Sequence, residues 1–174
     1  MRVAGRRGLP EVIGEVAAEV ERRLAAEEPA GPSIYLVVFG LQRARDLRQE
    51  EELGFGSFGG EEAAAPSPAQ QLATILREGP ELGVHTLVWC DTYTNLTRTL
   101  DRRALREFDL RVVFQMGAED SSNLIDSPAA SKLGPHRALF VSEEEGRLEK
   151  FRPYGLPPEA WLAWAAERLR ARAQ

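Results

Sequence analysis

Across Gly83 to Phe140, apolar runs of strand length alternate with polar or helical spans, and this cadence most limits what the chain can fold into. Val84–Cys90 is the first run, Leu110–Met116 the second, and a third starts at Arg137 and ends at Val141. Upstream, Ile34–Phe39 is apolar at every position, the pattern of a strand buried on both faces. Strands separated by helical spans predict an α/β fold: a mostly parallel central sheet with helices on both faces. These four runs would be its central strands, and Arg147–Phe151 would be its edge.

The intervening spans fit that layout. Residues 11–28 predict a helix, with Val12, Val16, Val20 and Leu24 recurring every four residues between charged positions. Gly31-Pro32-Ser33 stops it. Leu41–Glu52 is charged and predicts a few helical turns. Residues 68–78 predict a second helix with Leu72, Ile75 and Leu76 on one side, broken by Gly79-Pro80. Between these lies Leu53–Pro68, rich in Gly, Ala and Pro, which reads as a flexible loop. It contains Gly54-x-Gly56-x-x-Gly59. A dinucleotide loop needs that pattern directly after a strand and opening a helix, and the context supplies neither. Asp101 is placed to cap a short helix through Glu107, and short helical turns are expected over Ser121–Ile125 and Pro128–Leu133. Glu143-Glu144-Glu145-Gly146 joins two short strands as a hairpin, and Pro157-Pro158 opens a last helix carrying Trp161, Leu162, Trp164 and Leu169.

Composition narrows the function classes. The 174 residues suit one α/β domain, and a net charge of −5 argues against a dominant nucleic-acid surface. A single cysteine, Cys90, excludes an internal disulfide and suits a reducing, cytoplasmic setting. No apolar run approaches the roughly 18 residues of a membrane span.

Position singles out Asp91 and Thr92, which follow the Val84–Cys90 strand at its carboxyl end, where open α/β sheets bind ligands. Arg98, Arg102 and Arg106 are spaced by four and would share a helix face, able to meet phosphates or pair with neighbouring acids. His85 and Cys90 fall on opposite faces of one strand, so His85 cannot activate the thiol. Asp120 and Ser121 are placed to cap the turn that follows them.

Three blocks carry a family resemblance. They are Gly79-x-x-x-Gly83-Val84-His85, then Leu110-Arg111-Val112-Val113-Phe114, then Asp120-Ser121-x-x-Leu124-Ile125-Asp126-x-x-Ala129-Ala130-x-x-Leu133-Gly134. Together they resemble the FtsK/SpoIIIE–HerA family of hexameric DNA-translocating ATPases. The resemblance implies a RecA-like core, with Ile34–Phe39 as the Walker B strand. It implies that Arg111 can approach the neighbouring subunit's nucleotide, joining the strand-end candidates Asp91 and Thr92 as nucleotide contacts, and a structural signature in Gly83, His85, Asp120, Ser121, Asp126 and Gly134. The departures are as informative. The chain has no Gly-x-x-x-x-Gly-Lys-Ser/Thr loop to hold phosphates. Gly40 and Leu41 stand where the family places an acidic pair for Mg²⁺ and water, and Asp91 stands where it places a polar sensor.

The expectation is therefore the C-terminal part of a longer FtsK-like protein, lacking its phosphate-loop portion, with a degenerate Walker B and no catalytic residue or metal ligand of its own. ATP and Mg would be involved only if residues outside this chain complete the site. Expected partners are further copies or the rest of the ATPase chain, with DNA reached through the parent protein. Two alternatives are an active translocase whose Walker A lies elsewhere and a protein-interaction module on an ATPase-derived scaffold.

Overall fold

The computed structural model describes residues 2–26, 31–48 and 65–172. The Gly54–Gly59 pattern and most of Leu53–Pro68 fall outside them. The α/β class is observed, and the chain divides into two compact units, Met1–Asp109 and Leu110–Gln174.

In the first unit, β1 (Ile34–Phe39) and β2 (Val84–Trp89) pair in parallel, from Ile34 opposite Val84 to Phe39 opposite Trp89. Helix α1 (Leu9–Leu24) and helix α2 (Pro68–Glu78) supply its core. Ile13, Ala17 and Val20 of α1 and Leu72, Ile75 and Leu76 of α2 join Leu36, Val38 and Val84 in one buried cluster. The stripe on α2 is the expected one. On α1 it is turned: Val12 and Val16 lie at its margin and Leu24 is exposed, while Arg23 is buried in the last turn. Two adjacent apolar stripes of one helix are hard to rank by spacing alone. Leu41–Glu52 begins as two 3-10 turns, Leu41–Arg43 and Arg45–Leu47, placing Leu41 and Leu47 in the core.

The start of α2 is fully capped. The Ser67 hydroxyl accepts from the Gln70 N–H at 3.3 Å, the Gln70 side chain accepts from the Ser67 N–H at 2.8 Å, and Pro68 fills the first helical position. Its end is set by glycines. A Cβ on Gly79 would lie 2.3 Å from the Ile75 carbonyl oxygen and 2.7 Å from that of Val84, and Gly83 turns the chain into β2 at φ 73°.

The second unit is antiparallel throughout its sheet. β3 (Leu110–Val113) pairs with β4 (Ala138–Ser142), which pairs with β5 (Arg147–Phe151) across the acidic turn ending at Gly146. Val113, Leu139 and Val141 pack against Ile125, Ala130 and Leu133. The α/β class thus holds, but among the described residues the strands form two sheets, of two and three strands, and only β1 and β2 run parallel. A strand's apolar run shows that it suits burial and is silent on its neighbour's direction; only the hairpin, with its four-residue turn, announced its pairing. The second unit ends in α6 (Glu159–Arg172), none of whose side chains is buried.

β1 departs from the expected two-sided burial. Leu36 and Val38 face the core, whereas Tyr35, Val37 and Phe39 are exposed. On the neighbouring strand, Leu87 and Trp89 are exposed in register with Val37 and Phe39. One face of this parallel pair is therefore apolar and exposed among the described residues of the first unit. Among the described residues, no helix is long and apolar enough to cross a membrane.

Candidate functional site

The carboxyl ends of β1 and β2 meet at one edge. The Gly40 N–H donates to the Trp89 carbonyl at 3.1 Å, so the two chains leave the sheet side by side. On the β1 side, Gly40 turns left-handed, at φ 86°. That conformation suits glycine and directs Leu41 into the core. The position that would carry an acidic pair is thus a tight turn followed by a core leucine.

On the β2 side, Cys90, Asp91 and Thr92 lead into the short helix α3 (Tyr93–Thr97). Thr92 caps it, its hydroxyl accepting from the Asn95 N–H at 3.2 Å. The Asn95 side-chain amide donates to the Asp91 carboxylate at 2.9 Å, and the Thr92 hydroxyl donates to the same oxygen at 3.4 Å. The Asn95 amide is the main reason the Asp91 carboxyl is held below its ordinary value. Burial pushes the Cys90 thiol up, partly offset by a backbone hydrogen bond at Thr92. A raised thiol pKa is the reverse of what a nucleophile requires. His85 lies on the opposite face, 5.3 Å from the Tyr35 ring, as strand alternation requires. Asn95 is the member of this cluster that the sequence reading missed, although Thr92-x-x-Asn95 following a strand has the spacing of a cap and its third helical residue.

Arg98, Arg102 and Arg106 do not share one helix. α3 stops at Thr97 and α4 runs only from Arg102 to Arg106. Asp101 starts α4 anew, accepting from the Ala104 N–H at 2.7 Å, and the preceding Thr99 and Leu100 are buried. A capping residue between Arg98 and Arg102 breaks the periodicity that spacing alone suggested. Arg102 and Arg106 remain four apart on α4, while Arg98 donates to the Asn95 side-chain oxygen at 3.4 Å.

Arg111 belongs to the second unit. It donates to the Leu124 carbonyl at 3.0 Å and forms an ion pair with Glu143. The signature block lies there too. α5 (Ala118–Ile125) starts three residues earlier than expected, so Asp120 sits in its first turn, where a carboxylate suits the helix dipole, and does not cap it. Ser121 is fully buried: its hydroxyl donates to the Ser127 carbonyl and accepts from the Ala130 N–H at 3.2 Å. Asp126 ends the helix in the left-handed conformation, at φ 52°. Gly134 follows the 3-10 turn Pro128–Lys132.

The described residues of the β1–β2 edge do not by themselves supply a Mg-ATP site: Gly40 and Leu41 offer no side-chain oxygen, and one oxygen of the Asp91 carboxylate accepts from two local donors. Among the described residues, no three His, Cys, Asp or Glu side chains are grouped to hold a metal ion.

A scan against protein-family models finds no match, and a search of curated proteins finds none. Among solved structures, the cytoplasmic domain of the type VII secretion ATPase EccC of Thermomonospora curvata matches with a TM-score of 0.54 at 18% identity. The match covers 88% of this chain and 18% of that one. The likeness is one of fold. This chain's α/β scaffold is similar to part of that cytoplasmic domain, and the chain spans about a fifth of the length of the protein it matches.

Proposed function

We propose that this chain is a non-catalytic lobe of an FtsK/HerA-like DNA-translocating ATPase, retained for subunit assembly and not for hydrolysis. The observation that carries the reading is the β1–β2 edge. It lies at the carboxyl ends of two parallel strands, where open α/β sheets bind ligands, yet Gly40 takes a left-handed turn, Leu41 is core, and one oxygen of the exposed Asp91 carboxylate is engaged by Asn95 and Thr92. A phosphate placed there would meet a negative charge with no lysine-bearing loop to offset it. The ATPase-like scaffold and the Asp120–Gly134 block support the family part of the proposal.

Titration of the full chain with Mg-ATP, followed by calorimetry and phosphate release, tests it. No saturable binding up to roughly 1 mM nucleotide, a free energy of about −4 kcal/mol, is the expected result. Micromolar binding that disappears in Asp91→Asn would overturn the reading, because it would place a working nucleotide contact on this edge. An interaction module is the second reading, favoured by the bare apolar face of β1–β2.

A further inference from the structure

Thr99, between α3 and α4, is only 4% exposed, yet its hydroxyl has no hydrogen-bond partner. Gln42 and Thr86 also carry an unmet side-chain oxygen, but both residues keep more of their surface. A buried hydroxyl left unmet is costly, and native folds rarely tolerate one without a reason. The Leu96 carbonyl, three residues back, cannot take its proton. That oxygen already accepts from the Thr99 and Leu100 N–H groups at 3.1 and 2.9 Å, which uses both lone pairs.

Thr99 lines a small cavity whose other walls include Leu47, Ala69, Leu72, Leu76 and Leu100. The room it leaves for the centre of a water is about 10 Å³. That is about the least a single water needs, and too little for a larger ligand. Ala69 brings a second polar group to the same cavity. It is the second residue of α2, and the first N–H groups of a helix have no partner inside it. Pro68 has no N–H, the Ser67 hydroxyl takes that of Gln70, and the Ser67 carbonyl takes that of Gln71 at 2.9 Å. The Ala69 N–H is left without a partner among the described residues.

We propose that one ordered water occupies this cavity, accepting from the Ala69 N–H and exchanging a hydrogen bond with the Thr99 hydroxyl. It completes the capping of α2 that Ser67 begins, and it ties the helix start to the joint between α3 and α4. Two polar partners are the minimum for a buried water, and here they stand among leucine and alanine side chains. A chloride suits the place less: it is larger than water, and its charge would face apolar side chains unpaired. All of these residues lie within Met1–Asp109, so the site depends on neither the second unit nor the assembly reading above.

The test is a crystal structure of the full chain that shows ordered waters, beside Thr99→Ser and Thr99→Val. In the wild type and in Thr99→Ser, a peak is expected at about 2.7–3.2 Å from both the Ala69 nitrogen and the side-chain oxygen at position 99. Thr99→Val keeps the shape and removes the oxygen, so the peak should vanish. Urea unfolding gives an independent sign. With the water in place, Thr99→Val strands the Ala69 N–H, and the unfolded-to-folded ratio should rise about 5-fold. A dry cavity predicts the reverse, because the substitution then only removes an unmet hydroxyl. A wild-type cavity without a peak overturns the proposal, and so does a Thr99→Val chain as stable as wild type or more so. Anomalous scattering from bromide at this position in soaked crystals would overturn it too, by making the site one for anions.

Discussion

Arg23 is the side chain whose loss would be felt most widely in the first unit. Only 3% exposed, it donates to the Leu82 carbonyl at 2.7 Å, to the Pro32 carbonyl at 2.9 Å and to Glu19 at 2.7 Å. It thereby ties the end of α1 to the turns that lead into both strands of the parallel pair. Replacement by Met keeps the stem's packing but strands two carbonyls, so Arg23→Met is expected to cost about 2–4 kcal/mol in urea unfolding at neutral pH. Its acid behaviour gives an independent sign. Hydrogen bonds from Arg22 and then Arg23 lower the Glu19 carboxyl from 4.5 to about 2. A depressed carboxylate contributes stability above its ordinary value and loses it as pH falls toward the folded one. Without Arg23 the depression is smaller, so the gap between variant and wild type should narrow as pH drops from about 4.5 to about 2. A gap that stays constant or widens on acidification would show that Glu19 draws nothing from Arg23.

The joint between α2 and β2 is where an element's geometry is least forgiving. The Val84 N–H donates to the Gly79 carbonyl at 2.8 Å, and the Gly79 N–H to the Ile75 carbonyl at 2.9 Å, which leaves no room for a side chain on Gly79 between the Ile75 and Val84 carbonyl oxygens. Gly79→Ala must move backbone, and an expected loss of at least about 3 kcal/mol should appear as a fall in melting temperature. A variant melting within a few degrees of wild type would mean that the joint yields cheaply. This joint was legible in the sequence because Gly-Pro and a later Gly mark a helix stop and a turn by chemistry, whatever the tertiary context. The acidic hairpin was legible for the same reason, while the capping box at Ser67 was overlooked inside the stretch read as loop. Illegible were the antiparallel pairing of β3 with β4, the break between Arg98 and Arg102, and the Asp91–Asn95 contact. Each depends on which neighbour a segment meets, and spacing along one chain does not encode that. The candidate site divides in the same way: its acid-free β1 end was readable residue by residue, while the hydrogen bond from Asn95 to Asp91 needed coordinates.

Over the whole molecule, cover is unevenly distributed. Ile13, Leu72, Ile75 and Val84 are completely or almost completely enclosed, and α2 carries both a capping box and a buried stripe. At the other extreme, α6 spans 14 residues with no buried side chain. A helix of that length is marginal in water when nothing packs on it, because nucleation is costly and propagation adds little per residue. Its Trp161–Trp164 contact at 6.3 Å and the Arg168 guanidinium over Trp164 at 5.2 Å are local and contribute only tenths of a kcal/mol to about 1 kcal/mol each. In the full chain, α6 amides should therefore exchange with solvent at least about 100-fold faster than those of α2. Hydrogen exchange read by mass spectrometry compares both helices in one sample. Equal protection of the two helices would mean that α6 has cover, and its half-exposed tryptophans would be where that cover sits.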